Sequence, residues 1–322
     1  MAPIQTSTKK ASQALVITAF AALYIIWGST YLAILIAVKS IPPFLMAGSR
    51  FIIAGLLLYG WCRFRGEATP DFASIRKISF SGILLLFIGN SGLVWVEQYL
   101  PSGFAAIVIA TVPLWFVILD KRQWKFHFAN KQIIIGLLIG FAGVLSLFAG
   151  KSGVSFNGKY QLISFFVLVL GSISWATGSL YGKYTPSNGS TSMKAAIQML
   201  AAGLVSMLTG IFSGELQHFS FSQISTEALL AVAYLVSFGS LIGYMSFVWL
   251  MTVRPPSLVG TYAYVNPVVA VFLGWLFAHE QITWHQLIAL AIILAGVIIV
   301  NLSKEKLTAY DSKTLARKSA VS

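Results

Sequence analysis

Charge is what this sequence has least of. Only 10% of its 322 residues are charged, where a soluble domain carries about a quarter; solubility in water is excluded on that ground. Cysteine is nearly absent too. Cys62 stands alone, so no intrachain disulfide and no cysteine-based metal site can form. Enzyme signatures are missing as well: there is no glycine-rich phosphate loop, no carboxylate pair within an apolar run and no Ser-His dyad. His279-Glu280 followed by His285 has the look of a zinc-protease motif, but the second histidine comes six residues on instead of four and would not share a helical face. The expectation is a protein that is no enzyme and needs neither cofactor nor metal.

What fills the chain is apolar residues, 57% of the total, in runs of roughly twenty, the helical length that spans a hydrocarbon core about 30 Å thick. A membrane β-barrel would show segments of about ten residues alternating in polarity, and that period is not present. Ten runs emerge, here numbered as segments 1 to 10: 15–38, 43–62, 78–98, 101–119, 133–149, 160–182, 194–212, 227–250, 257–277 and 284–302. Prolines mark several of their ends, as at Pro42-Pro43, Pro101, Pro186 and Pro255-Pro256, because proline stops the helix before it and fits the first turn of the next. Lys9 and Lys10 before segment 1 resemble a signal peptide. The apolar run that follows is too long for one and reads as a retained helix.

The formal charge of +13 argues for no nucleic-acid partner, because the cations lie in short loops and tails. Eighteen Lys and Arg fall on one side of the predicted membrane and three, Lys39, Lys151 and Lys159, on the other. The positive-inside rule then puts both termini in the cytoplasm of a bacterial-type inner membrane. The links are too short to house a nucleotide domain, and the polar tail from 303 to 322 lacks an apolar face and is expected to be disordered.

The two halves repeat. Trp27-Gly-Ser-Thr-Tyr31 and Trp175-Ala-Thr-Gly-Ser179 lie 148 residues apart, and at that offset Arg50-Phe-Ile-Ile-Ala-Gly55 meets Gln198-Met-Leu-Ala-Ala-Gly203. Trp95, Pro101 and Pro113 match Trp249, Pro255 and Pro267 at 154, and Gly143-Val matches Gly296-Val at 153. With five segments per half the second copy must insert upside down, the inverted-repeat plan of many secondary carriers, which put their substrate near the midplane between repeats. The expected organisation is an all-α membrane protein of ten helices. A tail (1–14) precedes the first repeat (15–149), and an extracytoplasmic linker (150–159) leads to the second (160–302) and the C-terminal tail.

Tyr24-Ile-Ile-Trp-Gly-Ser-Thr-Tyr31, Arg50-Phe51, Ser172-Ile-Ser-Trp-Ala-Thr-Gly-Ser-Leu-Tyr181 and Tyr264-Val-Asn-Pro-Val-Val269 resemble the drug/metabolite transporter superfamily, specifically EamA-type permeases with two five-helix repeats. That resemblance implies export of amino acids, other metabolites or drugs. Arg50 in the first half faces Gln198 in the second, so a basic role there is not symmetric.

Arg50 is the only cation deep in an apolar run, about 11 Å from its outer end at 1.5 Å per residue. Facing lipid would cost about 2.5 kcal/mol or more, so it should face the interior and find a partner. Glu97, near the same membrane face, is the expected partner and the candidate for coupling to protons; Glu227 at the edge should be solvated. Two readings stand for Arg50, a structural ion pair and a group that holds a substrate carboxylate. Trp27, Ser29, Thr30, Tyr31, Trp175, Ser179 and Tyr181 supply aromatic walls and hydroxyls for a half-apolar pocket. Anchoring at the membrane interface is the alternative for the aromatics, and bonding within their own helix for the hydroxyls. Asn90, Gln198, Tyr244, Tyr264 and Asn266 are further candidates, with Ser91, Ser240 and Tyr262 behind them; interhelical hydrogen bonding is the alternative there. Pro113 and Pro267, each mid-run, free a carbonyl one turn earlier and are hinge candidates. Gly136-Gly140, Gly178-Gly182 and Gly239-Gly243 have the small-xxx-small spacing of close helix packing.

The expected function is an alternating-access permease exporting a small metabolite such as an amino acid, with protons as a candidate coupling ion and membrane lipid as its surroundings. A passive channel or uniporter and a non-transporting accessory protein are the alternatives.

Overall fold

The structure, a computed structural model, describes residues 12–100, 102–148, 159–278 and 283–319. Among them every regular element is helical, the form that satisfies each backbone group within its own segment when no water is at hand. Segments 1, 2, 3, 6, 7 and 8 are the helical runs Gln13–Ala37, Pro43–Phe64, Phe72–Val96, Lys159–Tyr184, Thr191–Phe212 and Thr226–Val253. Segment 4 is broken into Ser102–Ile109 and Val112–Leu119, and segment 9 into Pro256–Val259 and Tyr262–Ala278. Segment 5 is Lys131–Phe148 and segment 10 begins at Trp284. Seven helices among the described residues are long and apolar enough to cross a membrane, eight if Lys121–Ala129 and Lys131–Leu147, bent by 94°, form one. Ala105–Leu119 and Trp284–Val300 are shorter apolar helices. The outward faces carry Leu15, Ile17, Leu56, Leu57, Leu229 and Leu230, all more than half exposed; such a surface suits lipid and not water.

Three features depart from the sequence reading. Segment 10 runs on as helix from Trp284 to Ser319, through the tail expected to be disordered, because 303–319 carries four Lys, two Leu and two Ala and has no proline or glycine. The middles of segments 3 and 8 are π-helical, over Ile83–Ser91 and Leu235–Tyr244, a geometry that turns residues off the regular helical face and recurs at functional places. The hinge candidates are not alike: Pro113 opens the second piece of its broken segment, where its missing N–H costs nothing, while Pro267 lies inside a continuous helix. The expected linker lies outside the described residues except Lys159, the first residue of the segment 6 helix; the His279-Glu280 pair also lies outside them.

Two long antiparallel contacts organise the bundle, segment 2 with 7 and segment 5 with 10. Segment 1 packs on 8 and 9, and segment 6 on 3 and 4. In the first contact Gly48 faces Met207, Gly55 faces Leu200 and Gly203 faces Ile52. A Cβ on Gly55 would stand 2.8 Å from the Leu200 side chain, and one on Gly203 2.8 Å from the Ile52 nitrogen, so close approach requires glycine at both. Ser190 and Ser225 cap segments 7 and 8 by accepting from the amides of Met193 and Ala228. Segment 2 has proline at its N-cap; its free amides at Phe44 and Leu45 instead donate to Glu215 at 3.2 and 2.9 Å. Glu67, the residue 148 positions before Glu215, accepts from Ser190 Oγ at 2.5 Å. Each half therefore sends a carboxylate to the start of the other half's second helix.

Candidate functional site

A cavity with about 80 Å³ of space open to water centres lies among segments 1, 2, 3, 4, 6, 8 and 9, several times the ~10–15 Å³ that one water needs. Its lining comes from the second half of segment 1 (Trp27 to Ile34), the first third of segment 2 (Arg50, Phe51), the second half of segment 3 (Leu86 to Leu93) and the first two thirds of segment 6 (Leu168 to Trp175). All these ends point the same way, so the cavity extends from mid-bundle toward the side that carries Lys39. The π turns supply Leu86, Gly89 and Asn90 on one wall and Gly239 and Tyr244 on the other.

Arg50 is 4% exposed. Its Nε donates to Ser240 Oγ at 3.0 Å, and its guanidinium carbon stands 4.9 Å from the Phe51 ring centroid. Gly239 makes room for it, since a Cβ there would come within 2.9 Å of an Arg50 terminal nitrogen. One turn on, a Cβ at Gly243 would meet the Trp27 indole at 2.6 Å. The Gly239-Gly243 spacing thus seats two site side chains where the sequence reading expects helix packing. Trp27 Nε1 donates to the Gly239 carbonyl at 3.2 Å. Trp27, Trp175, Phe247 and Tyr262 form one aromatic cluster, Trp27 lying 5.5 Å from Trp175, 5.4 Å from Phe247 and 4.9 Å from Tyr262 between centroids. Burial of so much ring surface gives the cavity a rigid floor.

The expected Arg50–Glu97 ion pair does not form. Arg50 bonds a neutral hydroxyl, while both Glu97 carboxylate oxygens are buried without a hydrogen-bond partner. The two are near the same face but diverge: Arg50 turns into the Gly239 gap, and Glu97 stands one turn beyond Leu93, near Tyr31. Glu227 is exposed, as expected for its place at a helix start. Three buried polar atoms of the cavity residues also lack partners, Asn90 Oδ1, Asn266 Oδ1 and Trp175 Nε1. Unpaired buried polar groups cost about 1–3 kcal/mol each, and a solute that bonded them would recover that cost.

Of the residues read from sequence, Trp27, Thr30, Tyr31, Arg50, Asn90, Trp175, Tyr244 and Asn266 line the cavity together. Ser29, Ser179, Tyr181, Gln198 and Tyr264 do not. Ser29 Oγ donates to the Ile26 carbonyl and meets the Tyr234 hydroxyl, Ser179 Oγ donates to the Trp175 carbonyl, and Tyr264 donates to the Leu137 carbonyl. Gln198 sits behind the floor, accepting from Tyr244 at 2.9 Å and donating to Ser81 Oγ at 3.0 Å. Phe51, Ser172, Gly239 and Tyr262 line it as well, with apolar residues such as Leu86, Leu93 and Leu168 between them. Tyr262 is among the further candidates from sequence and Ser172 stands in a quoted motif; Gly239 reads as helix packing, and Phe51 carries no signal apart from Arg50 beside it.

The chain matches the EamA-like transporter family twice, over residues 14–149 and 162–302. It is 41% identical over 286 residues to a protein of Escherichia coli (strain K12) described as the uncharacterized inner membrane transporter YedA, covering 88% of this chain and 89% of that one. To the uncharacterized transporter YvbV of Bacillus subtilis (strain 168) it is 26% identical, over 87% of this chain and 89% of the relative. A crystal structure 20% identical in sequence shares the fold with a TM-score of 0.73, over 92% of this chain and 99% of that one.

Proposed function

The chain belongs to the EamA-like transporter family, whose members are multi-pass membrane transporters, and from that membership we propose that it is an alternating-access carrier exporting a small carboxylate-bearing metabolite, such as an amino acid, across an inner membrane. The observation that carries this is Arg50. A guanidinium buried at the wall of a partly polar cavity, bonded only to a neutral hydroxyl and stacked on a ring, is a charge awaiting an anion, and guanidinium binds carboxylate in paired, charge-assisted bonds. The unpartnered amide oxygens of Asn90 and Asn266 offer acceptors to an ammonium group on the same solute.

Two inverted five-helix repeats, 15–149 and 160–302, account for the packing. Under the 148-residue offset Gly55 corresponds to Gly203 and Ile52 to Leu200, so the Gly55–Leu200 and Gly203–Ile52 contacts are one contact met from either half. The Glu67 and Glu215 bonds obey the same exchange. The charge asymmetry puts both termini in the cytoplasm and turns the cavity toward the outer face, with the inner side closed. Pro113 and Pro267 serve as hinges. Glu97, a carboxylate within a membrane segment and without a partner, is the group that couples transport to protons.

Counterflow in proteoliposomes loaded with labelled amino acids tests the reading, run beside Arg50→Ala and Trp27→Ala. Saturable exchange lost in both variants supports it. Flux that does not saturate would make the protein a channel, and unchanged exchange in well-folded Arg50→Ala would remove Arg50 from the site.

A further inference from the structure

A second, smaller cavity lies on the opposite side of the floor, lined by Lys77 and Ser81 of segment 3, Tyr181 and Thr185 around the end of segment 6, and Lys194 and Gln198 of segment 7. Its wall is shared with the central cavity. Tyr244 lines the central one, Gln198 lines the smaller one, and the two are joined by the 2.9 Å hydrogen bond. Gln198 also bonds Ser81, which donates to the Gly178 carbonyl at 2.8 Å, so a single chain of polar contacts separates the cavities.

Two cations, Lys77 and Lys194, line the smaller cavity. Lys77 reaches only the Pro186 carbonyl, at 3.2 Å, and neither it nor Lys194 forms an ion pair among the described residues. Lys194 is also oddly placed. It stands in the first turn of its helix, where the positive end of the helix dipole disfavours a cation, and it is partly buried. The nearby carboxylates pair with neither cation: Glu67 accepts from Ser190, and Asp71 from the Ser74 amide and Asn188. The hydroxyls of Tyr181, Thr185 and Ser187 complete a set of donors around the two ammonium groups.

Resting on the carrier reading above, we propose that this cavity is the cytoplasmic loading site, where Lys77 and Lys194 capture the carboxylate of the solute before the Tyr244–Gln198 contact opens and passes it toward Arg50. Two cations that form no ion pair among the described residues raise the local concentration of small anions and speed their capture. Gln198 occupies the position in the second half that Arg50 holds in the first. A neutral amide there gives the carboxylate a weaker resting point than Arg50, so the solute is not held at the inner side.

The test compares inside-out with right-side-out membrane vesicles, both carrying the full chain, with a mixture of labelled amino acids as the probe. In Lys77→Gln/Lys194→Gln the half-saturating concentration at the inner face should rise about fivefold, with that at the outer face and the maximal rate unchanged. Lys77→Arg/Lys194→Arg should restore it. In the wild type, raised ionic strength should weaken inner-face saturation and leave the outer face alone, a measurement that stands even if the double variant folds poorly. Unchanged inner-face saturation, or an equal change at both faces, overturns the loading site while leaving the carrier intact. An effect that appears only in reconstituted vesicles containing anionic lipid, and not in phosphatidylcholine, would make the cavity a lipid-phosphate site and overturn it too. Absence of exchange in the wild type would sink the carrier reading itself.

Discussion

Trp27 and Trp175, 148 residues apart in the chain, stand against each other in the floor of the cavity, ring centroids 5.5 Å apart and planes at 79°. Their indole nitrogens differ in fate. Trp27 donates to Gly239, whereas Trp175 has no partner.

That difference predicts different costs for the same substitution. Trp27→Phe loses a hydrogen bond and should destabilise the protein by about 1 kcal/mol, seen as a lower melting temperature in detergent. Trp175→Phe should melt nearer to wild type yet bind substrate more weakly, because the donor it loses serves the cavity. Equal melting losses with unimpaired binding in Trp175→Phe would contradict the assignment.

Arg50→Gln places in the first half the residue that the second half carries. Loss of a charge-assisted hydrogen bond of roughly 1.5–3 kcal/mol should raise half-saturation for carboxylate substrates about tenfold or more in counterflow. Substrates whose carboxylate is amidated should not discriminate between variant and wild type.

The crossing of segments 2 and 7 gives a matched control. Gly203→Ala forces a methyl against the Ile52 backbone and should cost about 1–3 kcal/mol, with Gly55→Ala alike. Gly60, with nothing within 4 Å of a built Cβ, should tolerate alanine and gain up to about 1 kcal/mol in helix propensity. Similar melting temperatures for all three variants would refute the tight crossing.

Burial pushes the Glu215 carboxyl above its ordinary value, against the lowering effect of the Leu45 and Phe44 amides. A carboxyl raised in the folded state stabilises most below its unfolded value, and that contribution fades as pH climbs through the folded one. Glu215→Gln should therefore remove a component of melting temperature that falls between mildly acidic and neutral pH. Parallel melting curves for variant and wild type across that range would count against it.

Glu97→Gln should abolish the pH dependence of transport if that carboxylate carries the coupling proton, with Tyr31 as its near neighbour. An unaltered pH profile would point to a uniporter.

Much of this was written in the chain itself. Run length, proline placement and the side on which cations gather are local properties, and they brought the helical segments and the loops between them to light without any knowledge of packing. The series of matches at offsets of 148 to 154 residues was legible for the same reason, since Trp27 and Trp175 or Gly55 and Gly203 keep their spacing whatever their surroundings. Eight of the residues expected at the site do meet in one cavity, because polar and aromatic groups in the middle of apolar runs have few places to go.

Partner choice was decided only in three dimensions. Ser179 spends its hydroxyl on its own helix while Ser240 turns to Arg50, and nothing in their spacing tells them apart. Arg50 and Glu97 have the right charges and depth for each other, yet the opening left by Gly239 draws one away and leaves the other unpartnered. The π turns of segments 3 and 8, which bring Asn90 and Tyr244 to the cavity wall, leave the length of an apolar run unchanged and so gave no sign in the sequence. Hydrophobic length is a property of one segment, but a hydrogen bond between segments depends on angles and distances that exist only once both are packed.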